Sequence, residues 1–120
     1  VRPSGFGVIV HAGAAALPDA VALAAHASSI GADAVGTLPP FYFKPSGIAP
    51  LVEWLEPVAA AARVPFHYYH LPGLSGVDLP MTALAEAALA RIPNFAGIKF
   101  SQPDLFAWQE LRAGFGDRLD

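Results

Sequence analysis

Residues 64–100 read VPFHYYHLPGLSGVDLPMTALAEAALARIPNFAGIKF. The stretch opens with VPFHYYH and closes with FAGIKF, two short runs rich in apolar and aromatic residues, which is typical of buried strands. Between them, residues 80–90 are rich in alanine and leucine, which favours a helix. Parallel strands need a helix-length return path, so this stretch predicts a β-α-β unit.

The same alternation extends to both sides of this unit. In chain order it predicts strands at 8–11, 34–37, 64–70 and 95–100, followed respectively by helices at about 18–30, 48–62, 80–90 and 104–113. Four strand–helix units of roughly 30 residues each indicate an α/β fold with a parallel sheet and right-handed crossovers. A (β/α)8 barrel, the TIM barrel, needs about 250 residues, so four units are about half of one. We therefore predict the central part of a TIM barrel.

Several residues mark expected helix boundaries. Pro57 lies inside the second helix and predicts a kink or an early stop, because proline has no N–H to donate. Asp78 is placed to cap the third helix, and Ser101 with Asp104 forms an S-x-x-D capping box that opens the fourth. Gly114 is expected to close that helix. The segment from 71 to 77 is predicted to be a loop.

Composition excludes several classes of protein. Hydrophobic residues make up 54% and charged residues 14%, which excludes intrinsic disorder. No run of about 18 apolar residues exists, so no membrane span is expected. A net charge of −3 with only two lysines argues against nucleic-acid binding, and without cysteine there is no disulfide framework or thiolate site.

The ends of the chain carry expectations of their own. Residues 1–5 lack the charged start of a signal peptide, so none is expected. The chain begins at Val1 and ends at Asp120 just after a Gly-rich turn, which is typical of a piece of a longer protein. We expect residues 1–120 to form a single-domain fragment.

Position alone makes Lys99 and Tyr69 candidates for catalysis. In parallel barrels the carboxyl ends of the strands build the active site, and both residues lie near such ends, on neighbouring strands. A neutral amine can attack a carbonyl to form a Schiff base, and a phenol can pass a proton beside it. The alternative is structural: a strand-end lysine that reaches water and a buried tyrosine. Tyr68 should point to the opposite face and pack against a helix.

Other polar residues are weaker candidates. Four histidines occur, at 11, 26, 67 and 70. His11 and His26 have no paired carboxylate at ligand spacing, and His67 and His70 should point to opposite faces of their strand, so no metal site is expected. The aromatic cluster at 41–43 is more typical of packing or an interface. Ser75 and Ser101 follow strand ends and fit ordinary turn or cap chemistry.

Three ordered motifs resemble one family over nearly the whole chain. They are IGADAV (30–35) followed by PFY (40–42), YHLPGLSG (69–76), and FAGIKFS (95–101), which DL (104–105) extends. The chain resembles the pyruvate-dependent class I aldolase family that includes N-acetylneuraminate lyase and dihydrodipicolinate synthase.

The resemblance implies roles for four residues. Lys99 would form the imine with substrate and Tyr69 would be the general acid/base. Ser101 would place a hydroxyl close to the substrate, and Tyr42 would approach the site across a subunit contact. The substrate would be a 2-keto sugar acid and the protein a cytoplasmic homotetramer. No metal or organic cofactor would be needed, because the imine through Lys99 supplies the chemistry.

Three positions separate branches of the family. The synthase branch usually has arginine at the position of Leu74, and leucine cannot hold a substrate carboxylate. His70 and Ser101 favour reversible cleavage of N-acetylneuraminate to pyruvate and N-acetylmannosamine. The alternatives are another 2-keto acid aldolase or dehydratase, a dihydrodipicolinate synthase-like enzyme, or a non-catalytic fragment or pseudoenzyme. The family's upstream G-T-x-G-E-type loop, which binds the pyruvate carboxylate, has no match in the chain, so residues 1–120 alone are expected to be inactive.

Overall fold

The computed structural model describes residues 5–120, and the expectation of no signal peptide rests mainly on residues outside that range. Strands and helices alternate along the chain in this order: β1 (Ile9–His11), α1 (Leu17–Ser29), β2 (Ala34–Thr37), α2 (Ile48–Ala62), β3 (Phe66–His70), α3 (Pro72–Ser75), α4 (Met81–Arg91), β4 (Phe95–Phe100) and α5 (Leu105–Phe115). The strands form one parallel sheet in the order β1-β2-β3-β4. The predicted alternation and parallel sheet are confirmed.

The two faces of the sheet differ. On β3, Phe66, Tyr68 and His70 are buried, whereas His67 and Tyr69 are only half-buried. Successive strand residues point to opposite faces, so the first set faces the helices and the second faces away from them. The prediction that Tyr68 packs in the core is confirmed, since its side chain is fully buried in the main apolar cluster. In a barrel, the face away from the helices is the one that lines the barrel interior.

The pairing of β3 with β4 contains one irregularity. Phe66 lies opposite Phe95, but His67 lies opposite Gly97, so Ala96 has no counterpart on β3. Beyond this shift the pairing is regular and places Tyr69 opposite Lys99. Such a bulge reverses which face each later side chain occupies.

Helix α2 runs through Pro57 to Ala62, so the predicted early stop is wrong. Proline removes one backbone hydrogen bond, but this helix buries apolar side chains on both sides of it, including the fully buried Leu55 and Val58. Burying an aliphatic side chain stabilises a fold by about 1.5–3 kcal/mol. Packing therefore outweighs the missing bond.

Two predicted helix caps are also wrong, although both helices begin within one residue of the predicted position. Helix α5 begins after Asp104, whose Oδ1 accepts a hydrogen bond from Ala107 N at 3.0 Å, so Asp104 is the N-cap itself and no capping box forms from Ser101. Helix α4 begins after Pro80 with no side-chain cap, because the Asp78 carboxylate lies beside His70.

The end of α5 and the segment after β3 also differ from the sequence-based expectation. Gly114 lies within α5, whose last residue is Phe115 and whose C-cap is Gly116. The predicted loop after β3 contains the one-turn helix α3, in which the Ser75 Oγ accepts a hydrogen bond from Val77 N. This bond supports the prediction that the Ser75 hydroxyl serves a turn.

The sheet edges are not alike. On β1, Ile9 is 61% exposed, as an open edge requires. On β4, Ala96 O accepts from Asp120 N at 2.9 Å and Ile98 N donates to Asp120 O at 3.3 Å, so this edge is covered there. Half of a barrel leaves two open strand edges, so burial is expected to be incomplete along both edge strands. This holds for β1, whereas Asp120 covers part of β4. Within residues 5–120, no helix combines the length and apolar character needed to span a bilayer.

Candidate active site

A cavity of about 390 Å³ opens on the face of the sheet that the helices leave uncovered. All four strands contribute to its lining, which includes Ile9, His11, Gly36, His67, Tyr69 and Lys99. The two candidate catalytic residues therefore line one cavity. The register explains this, because Tyr69 and Lys99 are direct cross-strand partners whose side chains point to the same face.

The amine of Lys99 lies over the Tyr69 ring, with Nζ 3.9 Å from the ring centroid. The Lys99 side chain is exposed to the cavity and Tyr69 is half-buried. Hydrogen bonding to Lys99, and secondly to the Ser101 hydroxyl, holds the pKa of Tyr69 below its usual value of 10.0. A phenol with a lowered pKa gives up its proton more easily at neutral pH, which suits a group that must accept and return protons.

Ser101 follows the last residue of β4 and is held by the main chain. Its N–H donates to His70 O at 2.9 Å, which ties the loop after β4 to the end of β3. This bond keeps the Ser101 hydroxyl next to Tyr69. Lys99, Tyr69 and Ser101 thus form one polar cluster at the carboxyl ends of β3 and β4.

Tyr42 is not part of this cluster. It lies in the loop after β2, is 75% exposed, and packs its ring against Phe43 with the centroids 4.9 Å apart. Phe41 and Phe43 are exposed as well. The role that the resemblance implies for Tyr42 needs a second subunit, so it stays a prediction.

Two histidines of the cavity were not singled out as site residues from the sequence. The His11 ring meets the Tyr69 ring edge-on at 6.2 Å, and partial desolvation followed by the positive charge of Lys99 lowers the pKa of His11. His67 lies two residues before Tyr69, so the same two-residue spacing places it on the cavity face. The two-residue spacing from Tyr69 is therefore the sequence signal that could have identified His67 as a cavity residue. The prediction that His67 and His70 point to opposite faces is confirmed.

A row of alternating histidine and glycine forms the layer next to Tyr69 and Lys99. Across the sheet, His11 pairs with Gly36, Gly36 with His67, and His67 with Gly97. Barrel interiors are usually filled by branched apolar residues in such layers. A Cβ at Gly97 would lie 2.8 Å from the His67 ring, so glycine at this position leaves room for that imidazole. Among residues 5–120, no group of three or more histidine and carboxylate side chains is arranged to hold a metal ion.

Comparison with known proteins bears on this arrangement of amine, phenol and hydroxyl. Residues 5–120 match the Dihydrodipicolinate synthetase family. The chain belongs to this family. Human N-acetylneuraminate lyase is 46% identical over 99 residues, which is 82% of this chain and 31% of that protein.

Solved structures of the family share the fold. The N-acetylneuraminate lyase of Proteus mirabilis matches with a TM-score of 0.91 and 35% identity over 98% of this chain and 40% of that one. The lyase of Aliivibrio salmonicida matches with a TM-score of 0.92 and 36% identity over 98% of this chain and 39% of that one. The four strand–helix units are thus part of a TIM barrel, as predicted. The chain spans about a third of the length of its curated relatives.

Proposed function

We propose that the protein containing this chain is a Schiff-base, class I aldolase that reversibly cleaves N-acetylneuraminate to pyruvate and N-acetylmannosamine. The observation that carries the proposal is the Lys99 amine lying over the Tyr69 ring in a cavity on the barrel-interior face. An amine beside a phenol of lowered pKa is the pair of groups that imine chemistry with proton transfer requires. The named relatives support the choice of substrate.

The reaction begins at Lys99. Its neutral amine attacks the keto carbon of the open-chain substrate, and loss of water gives a protonated imine. This cation accepts an electron pair, so the bond between C3 and C4 breaks while the C4 hydroxyl loses its proton. N-acetylmannosamine leaves as the aldehyde, and an enamine of pyruvate remains on Lys99.

Tyr69 handles the protons of this sequence. Its phenolate accepts the proton from the C4 hydroxyl, directly or through the Ser101 hydroxyl, and a proton then returns to C3 of the enamine. Hydrolysis of the resulting imine releases pyruvate and restores the amine. The bonds made and broken are those of Lys99, water and substrate and the O–H bonds of Tyr69 and Ser101, so the scheme uses no metal or organic cofactor.

The remaining roles follow from the same proposal. Tyr42, exposed on its loop, approaches the active site of a neighbouring subunit in a homotetramer. Residues 1–120 form one partial-barrel fragment whose activity depends on the rest of the protein, and the protein acts in the cytoplasm. Neither a membrane nor a nucleic acid is a partner.

Borohydride trapping tests the mechanism. The full-length protein is reduced in the presence of pyruvate, digested, and analysed by peptide mass spectrometry. A pyruvate-derived mass increment on the peptide containing Lys99 is the expected result. An active enzyme with no adduct on that peptide would contradict the mechanism.

A coupled assay tests the substrate. Pyruvate release from N-acetylneuraminate is compared with release from other 2-keto acids of similar length. Release from N-acetylneuraminate should have the highest kcat/KM. A higher value for another 2-keto acid would favour the alternative aldolase function, and no release from any of them would favour a non-catalytic protein.

A further inference from the structure

Behind the candidate active site, on the helix side of the sheet, lies a buried polar contact. The His70 side chain is 1% exposed and lies between the rings of Tyr68 and Phe100, at centroid distances of 6.3 and 5.1 Å. Its Nε2 is 2.9 Å from the side-chain nitrogen of the Gln102 amide. Either the amide donates to a bare Nε2, or with the amide turned over its oxygen accepts the Nε2 proton. Both arrangements link the same two side chains.

This contact joins the two segments that carry the proposed catalytic groups. His70 follows Tyr69 in the sequence, and Gln102 follows Ser101. The main chains of the same segments are joined as well, because Ser101 N donates to His70 O at 2.9 Å. We call the pair of hydrogen bonds, one between main chains and one between side chains, the His70–Gln102 clamp.

An imidazole at this place costs free energy that an apolar ring would not. The ring is desolvated, which lowers the pKa of His70, while the Asp78 carboxylate 3.7 Å from Nε2 acts in the opposite direction. Among residues 5–120, His70 Nδ1 has no hydrogen-bond partner. A buried polar atom without a partner destabilises the fold. Phenylalanine would fill the space between the two aromatic rings without that cost, so simple packing does not account for histidine here.

We propose that His70 and Gln102 are positioning residues that fix the Ser101 hydroxyl against Tyr69. The inference rests on the proposed function of Tyr69 and Lys99. Neither residue of the clamp lines the cavity, and His70 points away from it, so the clamp acts through its sequence neighbours. Loss of the side-chain bond leaves the main-chain bond as the one remaining member of the clamp. The proton transfer step, which needs Tyr69 and Ser101 aligned, should then slow.

Gln102→Met in the full-length protein is the first test, because methionine keeps the length of the side chain and loses the hydrogen bond. We expect kcat for N-acetylneuraminate cleavage to fall roughly 10- to 100-fold, since a displacement of about 1 Å can cost about 10²-fold. KM should change less than kcat, and borohydride trapping of pyruvate should persist, since Lys99 itself is not moved. Gln109→Met, an exposed position on α5, is the matched control and should keep wild-type kcat.

Two further variants separate positioning from a general loss of stability. Gln102→Glu offers an oxygen that accepts from His70 Nε2 and should recover much of the lost kcat. The double variant His70→Phe/Gln102→Met should be no slower than the slower of its two single variants, because both remove the same bond. Thermal unfolding of each variant identifies any that fails to fold.

The outcomes are distinct. Three results would each overturn the proposed role of the clamp. One is a wild-type kcat in Gln102→Met, and another is an equal loss of kcat in Gln102→Met and in a folded Gln102→Glu. The third is a loss of kcat in the double variant that equals the product of the two single losses. A wild-type protein that cleaves its substrate but forms no pyruvate adduct on Lys99 would overturn the proposed mechanism instead, whatever the variants show.

Discussion

Lys99 and Tyr69 face the same cavity because β4 has one residue more than β3 between the Phe66–Phe95 pair and the Tyr69–Lys99 pair. In a regular ladder continued from Phe66 and Phe95, Tyr69 would lie opposite Ile98, and Lys99 would point into the helix layer. The shift at Ala96 reverses the faces, so Ile98 is buried under the helices and Lys99 reaches the cavity. The bulge therefore aims the proposed nucleophile, a use often found for bulges next to active sites.

Lys99→Arg should abolish turnover. Arginine keeps the positive charge, but its guanidinium is always protonated and offers no nucleophilic amine. Pyruvate release measures turnover, and trapping by borohydride should leave the mutated peptide unmodified. Lys44→Arg changes the only other lysine of the chain, which is exposed outside the cavity, and should leave both readouts unchanged. Residual wild-type activity in Lys99→Arg would refute the role of this residue.

Tyr69→Phe and Tyr68→Phe make a matched pair with opposite expectations. Loss of the Tyr69 hydroxyl should lower kcat by about 10²–10⁴-fold, the usual contribution of general acid–base catalysis, while imine trapping persists. The Tyr68 hydroxyl is buried and has no hydrogen-bond partner among residues 5–120. Its removal should leave kcat unchanged and raise the free energy of unfolding by about 1 kcal/mol, because an unsatisfied polar group leaves the core. Denaturant unfolding and steady-state rates check both. Equal losses of kcat in the two variants would contradict the assignment.

The pH dependence of kcat should report the phenol of Tyr69. Its pKa is lowered by Lys99 and then by Ser101, and the cleavage direction uses the phenolate, so kcat should rise as the pH rises through this lowered pKa. Ser101→Ala removes one of the lowering bonds, so the pKa rises and the rising limb should move to higher pH. Ser46→Ala, on an exposed loop, serves as the control. A limb that moves to lower pH in Ser101→Ala would show that another group titrates.

Gly97→Ala should destabilise the fold. A Cβ at this position would lie 2.8 Å from both the His67 ring and the Asp120 carbonyl oxygen, so the ring, the neighbouring chain or both must shift. Overpacking of this kind costs about 1–3 kcal/mol. At Gly73 no heavy atom lies within 4 Å of an added Cβ, so Gly73→Ala should change the free energy of unfolding by less than about 0.5 kcal/mol. Chemical denaturation compares the two. Equal effects would mean that His67 and the Asp120 segment move aside freely.

The sequence predicts the alternation of strands and helices well, because short runs with many apolar and aromatic residues alternate with longer helical segments between glycine- and proline-containing turns. It does not predict the face that Lys99 occupies. A strictly alternating FAGIKF would place Phe95 and Lys99 on one face, whereas the structure buries Phe95 and exposes Lys99. A single unpaired residue, set by contacts with a neighbouring strand, makes that difference.

Other features escaped prediction for related reasons. The one-turn helix α3 is too short to show a periodic pattern. The Asp78 carboxylate lies beside His70 at the end of β3 instead of capping its nearest helix, and the sequence pattern does not show which of the two it will choose. The His11 ring contacts the Tyr69 ring because only β2 separates β1 from β3 in the sheet, and the sequence does not state that strand order.

The order of the strands in the sheet is the order in which they are made. Each of β2, β3 and β4 pairs with the strand synthesised just before it, and the crossover between them contains one long helix, preceded by the short α3 between β3 and β4. Each of these three pairings therefore closes a loop of similar, modest length. During translation, β2 and then β3 can dock as they leave the ribosome. Tyr69 would then be in place before Lys99 emerges, so the proposed nucleophile joins a surface that is already assembled.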